Sequence, residues 1–208
     1  MSPELDKQLC EKYPKIFKNR YNDPKDSCIA FGIECGNGWY KIIDMLCMAA
    51  TYTYSTSVSI DEEDGIRLGV QPFTLKNVST PHYSFGIESP QIVADQVKEK
   101  FGTLRFYYHL EFDPKLVELN KSGKYPEIKE IMNRYSDYFD GIIHMAETMS
   151  SMICEETGKE GEMHVSNGGR NGWYKTLNRE YAKTEEFYVD RKYIPYKDVP
   201  KQESDEIE

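Results

Sequence analysis

Residues 89–112, SPQIVADQVKEKFGTLRFYYHLEF, change their hydrophobic period partway along, so the chain must set two kinds of secondary structure side by side. Ser89 and Pro90 read as a helix start: the hydroxyl accepts from an orphan amide, and proline at the first helical position loses no bond. Ile92 or Val93, Val97 and Phe101 follow at helical spacing, with Asp95, Lys98, Glu99 and Lys100 largely outside the stripe. The spacing predicts a helix that Gly102 ends in a left-handed conformation. From Thr103 the period is two. Leu104, Phe106, Tyr108, Leu110 and Phe112 share one face, and Thr103, Arg105, Tyr107, His109 and Glu111 the other. The first face builds core; the second is either a binding surface or the solvated side of a half-buried sheet.

A chain of 208 residues can bury a sizeable core as one domain. Tyrosine carries much of the packing, with 16 Tyr and 9 Phe in a chain that is only 39% hydrophobic. Such rings suit half-buried sheet faces and recognition surfaces, although codon bias would produce the same composition. The net charge of -9 argues against duplex DNA as a partner, because binding a polyanion needs many Lys and Arg at phosphates. A local basic pocket for a small anion is compatible with it. Five cysteines, an odd number at low density, fit a reducing cytoplasm. No signal-like apolar run opens the chain and no stretch reaches membrane-spanning length, so a soluble protein without membrane contact is expected.

In chain order, Ser2 and Pro3 predict a helix over 3–17 with Leu5, Leu9 and Tyr13 on one side, packing as a lid or clasp. CIAFGIECGNGW, Cys28 to Trp39, reads as a short strand and a tight glycine turn before a helix carrying Ile42, Ile43, Leu46, Cys47 and Ala50. The Tyr-Thr alternation after residue 51 suggests strand, or an extension of that helix, and 51–90 reads as a β-rich insertion. A turn at Asp113 and Pro114 leads to a short helical piece. A long helix is predicted from Glu127 to Cys154, with Gly141 marking close packing or a weak point. The fold class is α+β: a small antiparallel sheet packed against several helices, as a single domain over 1–190. Residues 191–208 read as an acidic tail, its last residues disordered.

FGIECGNGW, QVKEKFGTLRFYY, ICEETG and GGRNGWYKTLNREYA together resemble a family of small proteins of unknown function, widespread in phages and prophages. The resemblance covers roughly residues 10–50 and 91–182. In that family the C-terminal part is similar to a zinc ribbon, with a Cys-x-x-Cys-Gly knuckle and a second ligand pair downstream. Here Cys154 stands with Thr157 in place of the second Cys, and Asn178 and Tyr181 occupy the downstream positions. A closed zinc site needs four N or S donors, so neither metal nor cofactor is expected, and packing of Trp173 with hydrogen bonds should hold a degenerate zinc-ribbon-like piece. The resemblance implies a phage accessory protein in the host bacterial cytoplasm; by class alone, such proteins often antagonise host immunity.

The pentapeptide NGWYK occurs twice, at Asn37–Lys41 and Asn171–Lys175, and holds both Trp residues. It is either a coincidence of two glycine turns preceding helices or a pair of aromatic platforms, Trp39 with Tyr40 and Trp173 with Tyr174, able to stack a base. Arg105, Tyr107 and His109, with Lys98 or Lys100 and Arg170, offer anion donors beside rings. The competing reading is a solvated face with Arg105 paired to Glu111 or Glu99. Asp137, Asp140, His144 and Glu147 line one helical face, read as solvated, since such metal sites need two facing elements. No paired-carboxylate or His-Cys signature is present, which ranks an enzyme acting on nucleotides last. The first expectation is a non-enzymatic binding protein that counters host antiviral defence by sequestering a small anionic nucleotide-like ligand. The alternative is an inhibitor or adaptor that occludes a host defence protein. Aromatic content also favours a homo-oligomer.

Overall fold

The computed structural model describes residues 1–51, 56–61, 65–70, 90–166, 172–183 and 193–199, the backbone alone for 56–61 and 65–70. Ser89, Arg170 and Asn171, most of the 51–90 insertion and residues 200–208 lie outside the described residues. The fold is α+β. Helix α1 (Pro3–Lys12) starts at Ser2, whose hydroxyl accepts from Leu5 N, with Pro3 in the first turn. Within the 3–17 candidate it stops before Pro14, where the helical spacing of Leu5, Leu9 and Tyr13 ends, because a residue preceding proline is driven out of helical conformation. It is no lid: Leu9 and Cys10 belong to the main core.

The Cys28–Phe31 segment is a 3-10 turn rather than a strand, and only Ile33–Glu34 (β1) is extended. A second 3-10 turn, Asn37–Trp39, leads into α2 (Tyr40–Thr51), which buries Ile42, Ile43, Leu46, Cys47 and Ala50 as its periodicity predicts. An antiparallel hairpin follows, β2 (Thr56–Asp61) and β3 (Gly65–Val70). Thr56 onward is therefore strand and not an extension of α2.

The principal correction concerns residues 90–101, which form a strand, β4 (Gln91–Lys100), and not a helix. It pairs antiparallel with β5 (Thr103–Glu111), and β1 adds a parallel strand on its other side, giving the order β1-β4-β5. The ladder shifts register between Ala94 and Gln96. Ile92 and Ala94 lie opposite Leu110 and Tyr108 on the core face, and after the bulge Val97 lies opposite Phe106 on that same face. One bulged residue, Asp95, thus turns a period of two into the four- and five-residue spacing of a helical stripe. Lys100 pairs with Thr103, leaving Phe101 (φ 55) and Gly102 (φ 77) as a two-residue hairpin turn with positive φ at both positions. Gly102 closes a hairpin; it does not end a helix.

Helix α3 (Pro114–Ser122) is capped by Asp113 and ends at left-handed Gly123. Helix α4 (Glu127–Ser150) stops four residues before the predicted Cys154. It buries Ile128, Ile131, Tyr135, Phe139, Ile143, Ala146 and Ser150, and leaves Met145 exposed. Gly141 marks no close packing, since a Cβ there would meet nothing within 4 Å. Helices α2 and α4 and the core face of β4 and β5 enclose the main core, and Leu116 of α3 joins Ile128, Ile131 and Tyr135 in a smaller cluster. A second sheet, ordered β7-β6-β8, comprises β6 (Glu162–Ser166), β7 (Tyr174–Leu177) and β8 (Tyr193–Pro195). The folded part therefore extends past residue 190: Tyr193, expected in the tail, is buried in the Cys154 cluster.

Candidate functional site

β5 is an edge strand, and its outer amides would lie open without a covering element. Helix α4 supplies the acceptors: Ser150 Oγ takes Leu104 N (2.8 Å) and Glu147 Oε1 takes Phe106 N (3.1 Å). Glu147 Oε2 also lies 3.5 Å from Arg105, which donates to Leu104 O. The partner of Arg105 is thus Glu147, and neither Glu111 nor Glu99. Asp140 accepts from Tyr108 OH at 2.7 Å. Two of the four residues read as a solvated acidic face therefore pin the sheet edge.

The outward face of the hairpin carries the other predicted residues. Lys98 lies opposite Arg105, with its ammonium 5.4 Å from the Tyr107 ring centroid. His109 Nδ1 is 2.8 Å from Asp95, and its Nε2 is 3.7 Å from Glu111, which Lys18 also engages. The hydrogen bond from Lys18 is the main reason that Glu111 ionises below the usual carboxylate range. His109 and Glu111 are thus held in ion pairs, whereas Lys98 stands directly opposite Arg105 and over the Tyr107 ring. Three cavities among the described residues are lined elsewhere, by residues 160–162 with 177–179 and 197, by the 1–7 and 20–33 segments, and around Glu155; none draws on Lys98, Arg105, Tyr107 or His109.

The two NGWYK copies do not form paired platforms. Trp39 is 0% exposed and donates its indole N–H to Ile153 O at 2.7 Å, while Tyr40 packs against the core from the start of α2. Trp173 is 61% exposed and leads into a strand and not a helix, so its packing is not what holds the C-terminal piece. That role falls to a cluster of Cys154, Leu177, Ala182 and Tyr193, with Thr157 N donating to Cys154 Sγ and Asn178 Oδ1 accepting from Glu180 N and Tyr181 N. Among the described residues no three His, Cys, Asp or Glu side chains are grouped to hold a metal ion.

The structure joins the hairpin tip to β7. Thr176 donates its hydroxyl to Gly102 O (2.6 Å), and a Cβ on Gly102 would lie 3.4 Å from the Lys175 carbonyl carbon. Trp173 and Tyr174 follow within about 10 Å along the strand. Phe101 at the tip is 65% exposed, with Lys100 Nζ 5.4 Å from its ring centroid. Tyr174 lies 6.0 Å, ring to ring, from Tyr196, itself 54% exposed. The tip thus presents Phe101 beside Lys100, and the sheet it joins presents exposed Trp173 and Tyr196, with Tyr174 half-buried against Tyr196. Reading the sequence missed Phe101, placed in a buried helical stripe; the signal was the two-residue spacing between two strands ending in glycine.

A second feature missed in the sequence is the meeting of both NGWYK copies at one turn. Gly38 N donates to Glu155 O (2.7 Å) and Glu155 N to Thr176 O (2.9 Å). Gly38 of the first copy and Gly36 just before it allow the approach, since a Cβ on Gly36 or Gly38 would sit 2.3 or 2.2 Å from the carbonyl oxygen of Glu155 or Cys154 respectively. Lys175 of the second copy lies 3.3 Å from Glu155 and 3.1 Å from Glu156. Burial raises the Glu155 carboxyl above its ordinary range, with the Lys175 charge only partly opposing it. Desolvation also drives the buried Cys35 thiol to about 12, which makes it a poor nucleophile.

No family model, curated protein or solved structure matches this chain.

Proposed function

We propose that this chain is a non-enzymatic binding protein that docks on a protein partner through the hairpin tip and the neighbouring aromatic residues. The observation that carries this reading is Phe101. A phenylalanine occupies a hairpin-turn position with φ 55, where Asn, Asp or Gly is strongly preferred, and holds its ring 65% exposed. The turn itself demands the positive φ, but nothing in closing a hairpin calls for a large apolar ring held in water there, which a recognition contact would use. Exposed Trp173 and Tyr196 on the sheet that the tip joins match the residue types that anchor protein interfaces. The sequestration reading has less support: a small ligand is held in a concave site that covers most of its surface, whereas none of the three cavities described above draws on the hairpin face. In the phage setting that the segment resemblance implies, the partner is a host defence protein.

Native mass spectrometry of the protein purified from bacteria, followed by denaturation, tests the two readings against each other and reports subunit count. The docking reading predicts release of no nucleotide-sized mass. It also predicts capture of a host protein that is lost in Phe101→Asn and Trp173→Ala. A nucleotide-sized mass, with capture unaffected by either substitution, would return the weight to sequestration.

A further inference from the structure

We propose that the open cavity beside Glu155 is a socket for a guanidinium group, supplied as an arginine side chain by the partner that docks on the hairpin tip; the proposal rests on that docking reading. The cavity, about 500 Å³, is lined by Glu34, Cys35, Asn37, Glu155, Glu156 and Lys175, together with Met1. Glu155 is 3% exposed. Its Oε1 accepts from Gly36 N at 2.9 Å. Its Oε2 is buried and accepts no hydrogen bond among the described residues, with Lys175 Nζ 3.3 Å away in ion-pair range. A buried carboxylate oxygen in that condition favours a ligand that brings N–H donors.

Charge points the same way. Three carboxylates, of Glu34, Glu155 and Glu156, face two ammonium groups, of Lys175 and Met1, and the Met1 ammonium already donates to Ile33 O and Cys35 O. Among the described residues that line the cavity, one negative charge is in excess. The acidic groups do not converge as a metal site does among the described residues. A guanidinium spreads five donors over a plane several ångströms wide, which suits carboxylates at that dispersion better than a point ion does. Socket and tip share β7, through Lys175 and through the Thr176 bond to Gly102. Arginine is among the commonest interface anchors.

The test is a titration of the purified full chain with N-acetyl-arginine methylamide, followed by amide chemical shifts, with N-acetyl-citrulline methylamide as the neutral isostere. The expected result is a saturable shift at Gly36, Asn37 and Lys175, about tenfold weaker or more with citrulline and in the Glu34→Gln/Glu156→Gln double variant. Glu34 is exposed and Glu156 half-buried, so the variant keeps its fold, and a dispersed amide spectrum verifies this. Absence of a saturable shift in the wild-type chain, equal binding of citrulline, or unchanged binding in the double variant would each overturn the proposal. The titration contains no partner, so its failure leaves docking at Phe101 standing, and loss of docking leaves the socket measurement intact.

Discussion

Phe101 combines two unfavourable features, a left-handed backbone under a bulky side chain and an aromatic ring in water. Phe101→Asn relieves both, and we expect it to raise the unfolding free energy by about 1 kcal/mol in urea denaturation while abolishing partner capture. A destabilised variant would show that the ring packs structurally. Glu155 makes a second prediction at this scale. Its folded carboxyl titrates above the ordinary value of 4.5, so the folded state holds that proton more tightly than the unfolded chain. Its contribution is most favourable below pH 4.5 and is lost as pH rises through the folded value. Wild-type stability relative to Glu155→Gln should therefore fall between pH 4.5 and neutrality; a difference that grows with pH would contradict the assignment. Glu111 and Glu162 have lowered values, through hydrogen bonds from Lys18 and Arg179 respectively. Their stabilisation is lost in acid, so only the difference between the two proteins isolates Glu155.

Among the elements, the junction of β5 and α4 is the most exposed to single changes. Ser150→Ala removes the acceptor of the buried Leu104 amide and should cost about 1–3 kcal/mol, with faster hydrogen exchange at Leu104; an unchanged exchange rate would show that the edge is held otherwise. Gly38→Ala places a Cβ 2.2 Å from the Cys154 carbonyl oxygen and should destabilise by about 3 kcal/mol or more, read from the denaturation midpoint. α1 and α2 were legible because caps and periodicity are local, as at Ser2, Pro3 and the Ile42–Ala50 stripe. β4 was not, because the bulge at Asp95 gives a strand the spacing of a helix. The partner of Arg105 was not legible either: Glu147 is brought in by the packing of α4 along a sheet edge, and no local pattern announces it. Of the candidate site, Tyr107 was read on its strand, Lys98 and Lys100 were read on a helix and stand on β4 instead, and Trp39 proved to be core. Two copies of NGWYK look alike in sequence, and only the fold assigns one to a helix start and the other to a strand.

At the scale of the whole molecule, the chain is strongly acidic, yet its hairpin tip sets Lys100 over the exposed Phe101 ring, and its adjoining cavity is acidic. Among the described residues no helix is long and apolar enough to cross a membrane. The most direct test of docking is quantitative affinity capture from infected bacteria with the wild-type chain, Phe101→Asn, Trp173→Ala and, as a control remote from the tip in sequence, the exposed Tyr21→Ala. The account predicts one host protein retained by wild type and Tyr21→Ala and reduced about tenfold or more by both tip variants. Equal retention by all four proteins would contradict it.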